Sequence, residues 1–194
     1  MTPRLILASQ SEARQRLLKR LGLRFKCIPS KISEEPYKRK IKNPRLLAQT
    51  LARAKALDVA SKQKRGAIVI GSDQVLVCGG IIFGKPGTRA RAIEQLKTFS
   101  GRKIRLLTAV CVIDSEGRER EFVDVTEMKF RKLSIEEITE YVRLDDPLQC
   151  AGSFKFEERG ITLFQDLKTS DPTGIEGLPL IQLSAVLKTV LPAK

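Results

Sequence analysis

The first sixty residues alternate short apolar runs with stripes of helical period. The runs RLILA at 4–8 and RFKCIP at 24–29 are typical of short buried strands. Between them, segment 13–22 places leucines on one helical face and ends in glycine, which predicts a helix that stops there. A second helix is predicted from Pro44, where apolar residues recur every three or four positions. The polar, proline-containing segment 30–43 predicts a loop or lid.

Later segments indicate further strands, hairpins and helices. Residues 66–88, GAIVIGSDQVLVCGGIIFGKPGT, predict a strand, a turn, a second strand, a Gly-Gly hairpin and a third strand. Residues 88–98 predict a helix, and residues 103–133 a long β-hairpin around the turn SEG. Ser134 and Glu137 have the spacing of a capping box and begin another predicted helix.

The order of the elements indicates the fold class. After residue 150 the chain predicts strand and loop, and 177–191 predict a closing helix. Alternating helices and strands with an antiparallel hairpin indicate an α/β fold, with a mixed, twisted β-sheet flanked by helices. At 194 residues, without a repeat or an evident linker, the chain is expected to form one domain over 1–194 with room for two lobes.

Composition excludes several classes of protein. No apolar run approaches the roughly 18–20 residues that span a bilayer, so we expect no membrane association. The run LILA after Arg4 is too short for a signal-peptide core, which favours a cytoplasmic protein. The chain has no histidine, which removes Ser-His and Cys-His nucleophilic machinery. Four widely spaced cysteines predict buried, reduced thiols rather than a metal site or disulfides: Cys27, Cys78, Cys111 and Cys150.

The chain is strongly basic, with a net charge of +14. Such a charge attracts negatively charged partners, and three kinds fit: nucleic acid, an anionic membrane surface or a phosphorylated small molecule. The basic residues are dispersed, and two tyrosines without tryptophan offer little surface on which bases could stack. Charge therefore leaves the partner open.

Several residues could carry chemistry, and each also has an ordinary structural role. Ser9 and Glu12 have capping-box spacing, although a helix N-terminus also binds anions. Asp73, in GSDQV, follows an apolar strand, where α/β sheets gather their active sites, but it is equally a candidate turn or cap carboxylate. Lys85 in FGKPG is fixed on a short loop or merely solvated, and Lys55 points into a cleft or snorkels.

Glu34 and Glu35 interrupt an otherwise basic segment. Paired carboxylates can hold a divalent ion, although exposed acids more often only aid solubility. Neither a G-x-x-x-x-G-K-[ST] loop nor a G-x-G-x-x-G motif is present, so the common P-loop and dinucleotide folds are not supported.

Taken together, these motifs resemble those of the Maf family of nucleoside triphosphate pyrophosphatases. The resemblance rests on LASxS followed by Arg14, on Glu34 and Lys55, and on SDQV, GKP, SG...T, AGSF and GLPL, in this order along nearly the whole chain. It is strongest with the bacterial branch that acts on 7-methyl-GTP, because of GSDQV, CAGSFKxE and GITLF.

The resemblance implies a fold, a reaction and roles for residues. It implies a nucleotide cleft between two lobes and hydrolysis of the bond between the α- and β-phosphates, which releases a monophosphate and pyrophosphate. Asp73 would be the base that activates water, and Glu34 and Asp73 would hold Mg²⁺ or Mn²⁺. Phosphates would be bound by the side chains Ser9, Arg14, Lys55 and Lys85.

The resemblance also implies which residues read the base. Gln74 and Glu157 would contact it, and a carboxylate at 157 would favour guanine made cationic by N7 methylation. The family usually has proline and then an aromatic residue or arginine where this chain has Glu12 and Ala13, so a base-contacting side chain is missing at position 13. The family also suggests a homodimer.

Two other functions stay open from the sequence. A basic RNA-binding protein would fit the charge of +14, whereas the acidic and glycine motifs do not favour nucleic acid as the partner. A degenerate family member that binds nucleotides without turnover would fit Glu12 and Ala13.

Overall fold

The computed structural model describes residues 4–64 and 66–191, so the ends of the predicted 1–194 domain and Arg65 lie outside the described residues. Within the described residues the strands are β1 Arg4–Leu7, β2 Phe25–Cys27, β3 Ala67–Cys78, β4 Ile81–Phe83, β5 Lys103–Ile113, β6 Glu119–Phe130 and β7 Phe164–Lys168. The α-helices there are α1 Glu12–Lys19, α2 Glu35–Lys40, α3 Pro44–Ala60, α4 Arg89–Phe99, α5 Ile135–Asp145 and α6 Leu180–Val190.

The strands form a mixed sheet in the order β2-β1-β3-β5-β6-β7, with β4 paired to β3 off this path. Strand β1 runs parallel to both β2 and β3, whereas β4 is antiparallel to β3, and β7 is antiparallel to β6. The predicted α/β class with a mixed sheet is therefore confirmed.

The chain divides into two compact units. Unit 1 comprises the described residues within 1–74, 108–124 and 171–194, and unit 2 comprises 75–107 and 125–170. Strands β3, β5 and β6 each contribute residues to both units. The core of unit 1 is aliphatic and joins leucines of α1 and α6 to the buried side chains of β1, β3 and β5. In unit 2, six phenylalanines contact one another in a chain: Phe83, Phe99, Phe130, Phe154, Phe156 and Phe164.

The predicted turn within GSDQV is wrong, because β3 is continuous from Ala67 to Cys78. Gly71 lies inside this strand with no positive φ, and it allows α3 to approach closely. A Cβ at Gly71 would lie 2.3 Å from the carbonyl oxygen of Ala52 and 2.7 Å from the amide nitrogen of Ala56. Glycine is therefore required here by helix-on-strand packing rather than by a turn.

Two expectations near the N-terminus are also wrong. The cap of α1 is Ser11, whose hydroxyl accepts from the amide of Arg14, so Ser9 and Glu12 form no capping box. The segment 30–43 is not all loop, because α2 forms within it despite its charges; Pro36 occupies the first turn, where proline is tolerated.

Other local predictions are confirmed. Ser134 and Glu137 form the reciprocal capping box at the start of α5. Gly79 and Gly80, with φ of 56° and 83°, form the tight hairpin between β3 and β4, which needs two left-handed residues. In α3, burial falls on Leu47, Ala48, Leu51, Ala52, Ala56 and Val59. Leu57 is exposed, although it belongs to the apolar residues that recur every three or four positions after Pro44.

The thiols are free but not all buried. Cys78 and Cys111 are buried as predicted, Cys150 is half-buried, and Cys27 is exposed. Among the described helices, none has the length and apolar character needed to cross a membrane.

Candidate active site

The candidate site is organised around a carboxylate inside β3. Asp73 lies within this strand rather than at its end, and it is only 7% exposed. Because Gly71 admits α3 against β3, Lys55 on that helix reaches Asp73, with 2.6 Å between Nζ and Oδ1. A buried carboxylate next to a buried ammonium is stable only as a pair, which explains why the two groups meet.

Lys55 joins two carboxylates. Its Nζ lies 2.7 Å from Oε1 of Glu34, the residue before α2, while Oε2 of Glu34 lies 2.9 Å from Nζ of Lys38. The exposed fraction of the side chain rises outward, from 9% for Asp73 through 15% for Lys55 to 33% for Glu34. Charge therefore alternates from the interior to the surface.

The environment moves the two carboxylates in opposite directions. Burial raises the pKa of Asp73, and the charge and hydrogen bond of Lys55, with the charge of Arg14, oppose that rise. Burial also acts to raise the pKa of Glu34, but the hydrogen bonds and charges of Lys38 and Lys55 outweigh it and lower the pKa to about 2. Asp73 is thus the more basic of the two, as a proton acceptor must be.

Arg14 interacts with Asp73 through its charge and holds two backbone segments. Its Nε donates to the carbonyl of Gly177 and its Nη1 to the carbonyl of Ser72, each at 2.9 Å. The hydroxyl of Ser72 donates to the same Gly177 carbonyl at 2.9 Å. Burial lowers the pKa of Arg14, yet a guanidinium stays charged at any physiological pH. Nε and Nη1 of Arg14 already donate to these carbonyls, so phosphate binding by Arg14 stays a prediction for its other N–H groups.

Gln74 is committed to the protein interior through its amide nitrogen. Nε2 donates to the hydroxyl of Thr108 and to the carbonyls of Gly174 and Ile175, each at 3.0 Å. The hydroxyl of Thr108 also donates to Gly174, at 2.8 Å. If Gln74 reads a base, it does so with its carbonyl oxygen.

The remaining candidates of unit 1 lie at the start of the chain. Ser9 follows β1, is buried, and accepts a hydrogen bond from the amide of Ser11 at 3.1 Å. Ala13 is half-buried in the first turn of α1.

Lys85 belongs to unit 2 and is exposed on the loop between β4 and α4. The loop is anchored at Gly84, whose carbonyl accepts from the amides of Gly152 and of the Gln95 side chain. Gln95 also accepts from the hydroxyl of Ser153 at 2.6 Å. The AGSF motif thus contributes the backbone that positions the loop of Lys85.

Glu157 is exposed in unit 2, on the segment that follows AGSF. Glu157 and Lys85 act on one nearby thiol: burial raises the pKa of Cys150, Glu157 raises it further, and Lys155 and Lys85 oppose the rise. Lys85 and Glu157 therefore both lie near Cys150.

The structure brings Arg14, Glu34, Lys55 and Asp73 together in unit 1, and Lys85 and Glu157 near one thiol in unit 2. Sequence reasoning missed Lys38, Ser72, Thr108 and the carbonyls of Gly174 and Gly177. The motifs SDQV, SG...T and GLPL contain most of these residues, but only the fold shows that they bond to one another.

The oxygen donors of Glu34 and Asp73 fit a hard divalent cation, since both carboxylates already share one positive charge, that of Lys55. A separate group of potential ligands in unit 1 comprises Cys111, Glu119 and Glu121, whose ligand atoms lie within 4.8 Å of one another. Arg53 pairs with both glutamates there, and burial and their charges raise the pKa of Cys111 to about 12. That group includes a thiol whose pKa is raised, and thiols do not suit Mg²⁺ or Mn²⁺, so it does not replace the Glu34 and Asp73 pair.

The fold and the site define an α/β protein with a buried carboxylate that is bonded to an ammonium and subject to the charge of a guanidinium, an arrangement suited to reactions of oxyanions. A family model described as "Maf-like protein" matches residues 4–190, so the chain belongs to the Maf family. The predicted family resemblance is confirmed.

Curated relatives match over nearly their whole length. A 7-methyl-GTP pyrophosphatase of Xanthomonas oryzae pv. oryzae is 47% identical and covers 97% of this chain and 96% of its own. One from Bdellovibrio bacteriovorus is 41% identical, with 95% of each chain covered.

Solved structures support the fold alone. A HAM1 protein from Coxiella burnetii has a TM-score of 0.51 at 17% identity, covering 96% of this chain and 99% of that one. The Staphylococcus aureus Ham1 protein has a TM-score of 0.52 at 13% identity, covering 96% and 98%.

Proposed function

We propose that the protein is a nucleoside triphosphate pyrophosphatase that hydrolyses 7-methyl-GTP to 7-methyl-GMP and pyrophosphate. The observation that carries the proposal is the buried Asp73 bonded to Lys55 and subject to the charge of Arg14, in a chain whose relatives at 41–47% identity are named 7-methyl-GTP pyrophosphatases. We also propose that residues 1–194 form a single domain.

Asp73 takes a proton from the attacking water. Its burial supports this role, because a desolvated carboxylate is more basic than a solvated one. Lys55 favours the ionised form of Asp73, because its charge and hydrogen bond oppose the rise in the pKa of Asp73, and it fixes the carboxylate through the bond between Nζ and Oδ1. When a proton moves to Asp73, that bond weakens and the ammonium becomes available to the phosphate oxygens.

Positive charge next to the scissile bond stabilises the extra negative charge that develops as water attacks phosphorus. Arg14 and Lys55 supply it, Lys85 is a further phosphate-binding residue, and the hydroxyl of Ser9 donates to a phosphate oxygen. Arg14 also fixes the backbone at Gly177 and Ser72, so substrate contact and loop position depend on one side chain.

Glu34 and Asp73 are the residues that would hold Mg²⁺ or Mn²⁺. Such an ion polarises phosphate oxygens and lowers the pKa of a bound water. Lys55 pairs with the same two carboxylates, so the chain itself directs both of them toward one positive charge.

Glu157 supplies selectivity for the base. A carboxylate attracts the positive ring of N7-methylguanine more than the neutral ring of guanine. Gln74 contributes its amide oxygen, and Ala13 leaves room where a larger side chain would contact the base.

Turnover of 7-methyl-GTP, GTP and the other common triphosphates with Mg²⁺ or Mn²⁺ tests the proposal, with products separated by ion-exchange chromatography. We expect each triphosphate that is hydrolysed to give its own monophosphate and pyrophosphate, with 7-methyl-GTP hydrolysed fastest, and we expect excess chelator to abolish turnover. Diphosphate with inorganic phosphate would indicate attack at the terminal phosphate, and full turnover in chelator would contradict the metal.

Two further measurements, made beside the turnover screen, separate the two alternatives. Nucleotide binding by calorimetry without turnover would indicate a degenerate member. Salt-sensitive retention of RNA without pyrophosphate release would indicate an RNA-binding protein. We further propose that the enzyme is a cytoplasmic homodimer, which light scattering and cell fractionation would test.

A further inference from the structure

A tight turn carries Glu157. The carbonyl of Lys155 accepts from the amides of Glu158, at 3.2 Å, and Gly160, at 3.0 Å. A Cβ at Gly160 would lie 2.2 Å from the same carbonyl oxygen, so only glycine closes this turn without moving its backbone. Glu157 lies inside a segment whose two ends are fixed to each other.

The turn is attached to α5 at both ends. At one end, the amide of Lys155 donates to the hydroxyl oxygen of Tyr141 at 2.9 Å. At the other end, Nη1 of Arg159 donates to Oδ1 of Asp145 at 3.0 Å. Tyr141 and Asp145 are four residues apart and therefore lie on one face of α5, so a single rigid helix holds both ends of the turn.

Asp145 is placed at a cost to stability. Its side chain is fully buried, and among the described residues no group hydrogen-bonds its Oδ2. It is also the last residue of α5, where the helix dipole disfavours a negative charge. A buried acid that is half satisfied and opposes the dipole requires a reason other than stability, and Arg159, with which it pairs, belongs to the turn that carries Glu157.

We propose that Tyr141 and Asp145 are positioning residues for nucleobase selectivity, because they hold the Lys155–Gly160 turn and thereby the carboxylate of Glu157 at a fixed place. The inference rests on the proposed function in that it gives Glu157 the role of base reader. Neither residue touches the substrate, and both act through the backbone and Arg159.

Tyr141→Phe tests this proposal by removing one acceptor while keeping the ring in the core. We expect the ratio of kcat/KM for 7-methyl-GTP to that for GTP to fall about threefold, through KM for the methylated nucleotide, with kcat for GTP unchanged. Hydrogen exchange of the 155–160 amides should quicken while that of β6 stays the same. Thr139→Val is the matched control, because that hydroxyl on α5 is exposed and bonds only within the helix.

The outcomes separate the two proposals. A parent enzyme without preference for 7-methyl-GTP contradicts the proposed function. A parent with the preference and a Tyr141→Phe variant that keeps it contradicts only the positioning role, as does lost selectivity without faster exchange in the turn. If Tyr141→Phe does not fold, Arg159→Lys, altered at an exposed side chain, makes the same test from the other end of the turn.

Discussion

The two units fix their polar side chains in different ways. In unit 1, charged side chains hold one another: Lys55 lies between Asp73 and Glu34, with Lys38 next in the series. In unit 2, Lys85 and Glu157 are exposed on backbone loops that are themselves hydrogen-bonded at Gly84 and around Lys155. Position is set by charge in the first case and by backbone geometry in the second.

The difference indicates how each unit should respond to substitution. A buried charge that loses its partner is costly and changes its protonation, so substitutions in the series from Asp73 to Lys38 should alter rate and pH dependence. An exposed side chain on a held turn can change without harm to the fold, so Glu157 and Lys85 should alter affinity and selectivity. The following substitutions test this division.

Asp73→Asn has the largest expected effect. The amide keeps the shape of the carboxylate but cannot accept a proton, and loss of one general base costs about 10²–10⁴ in rate. We expect kcat to fall by that factor while nucleotide affinity measured by calorimetry is largely kept. Asp166→Asn, at an exposed position of β7, is the control. Activity within a few-fold of the parent would remove Asp73 from the role of base.

Lys55→Met removes the charge and keeps the apolar length. Asp73 then faces Glu34 without an ammonium between them, so its pKa should rise further. We expect kcat/KM to fall by roughly 10–100-fold and its acidic limb to move to higher pH, measured between pH 5 and 9. Lys97→Met, at an exposed lysine of α4, should leave the profile unchanged. An unmoved acidic limb would show that Lys55 does not tune the base.

Gly71→Ala tests whether packing places Lys55. The added Cβ would lie 2.3 Å from a backbone oxygen of α3, so the helix must shift at a cost of about 1–3 kcal/mol. We expect a lower Tm and a loss of activity larger than any change in affinity. Gly84→Ala is the matched control, because its Cβ would meet nothing within 4 Å. Equal stability of the two variants would contradict the close approach of α3 as the cause.

The sequence predicts most elements of this fold, because strand runs, leucine spacing, glycine hairpins and the Ser134 capping box are local signals. It fails where a distant contact decides. The sequence around Gly71 is typical of a turn, and only the contact with α3 shows why glycine is needed there. Ser9 and Ser11 are both plausible caps by residue type, and only the structure shows that Ser11 caps α1. Segment 30–43 is so polar that α2 has no apolar stripe, which is the sequence pattern that would have predicted a helix there.

The site follows the same division. Asp73, Lys55 and Glu34 could be selected from the sequence by residue type and motif, but their bonding through one ammonium is a property of the fold. Gln74 shows the limit most clearly. Its amide nitrogen donates to residues 34 to 101 positions away in the sequence, and the residues next to Gln74 do not predict such distant partners.

Glu157→Gln sharpens the comparison from the side of unit 2. Glutamine keeps the length and one acceptor but removes the charge that attracts the methylated ring. Because Glu157 is exposed, we expect the lost discrimination to be about 1 kcal/mol, roughly a fivefold narrower preference in kcat/KM for 7-methyl-GTP over GTP. Tm should not change. A variant that keeps the full preference would show that Glu157 is not the base reader.

Glu34→Gln has the smallest expected effect on stability, which is measured separately from the loss of rate expected when a proposed metal ligand is removed. The pKa of Glu34 is lowered from 4.5 to about 2 by Lys38 and Lys55, so the stabilisation it provides is complete above pH 4.5 and is lost as the pH falls toward 2. Because Glu34 is partly solvated, we expect less than about 1 kcal/mol. The parent should therefore exceed the variant in Tm at pH 6, and the difference should shrink steadily down to pH 3. Glu35→Gln, whose side chain is 68% exposed, should show no such trend, and a difference as large at pH 3 as at pH 6 would place the stabilisation outside the ion pairs of Glu34.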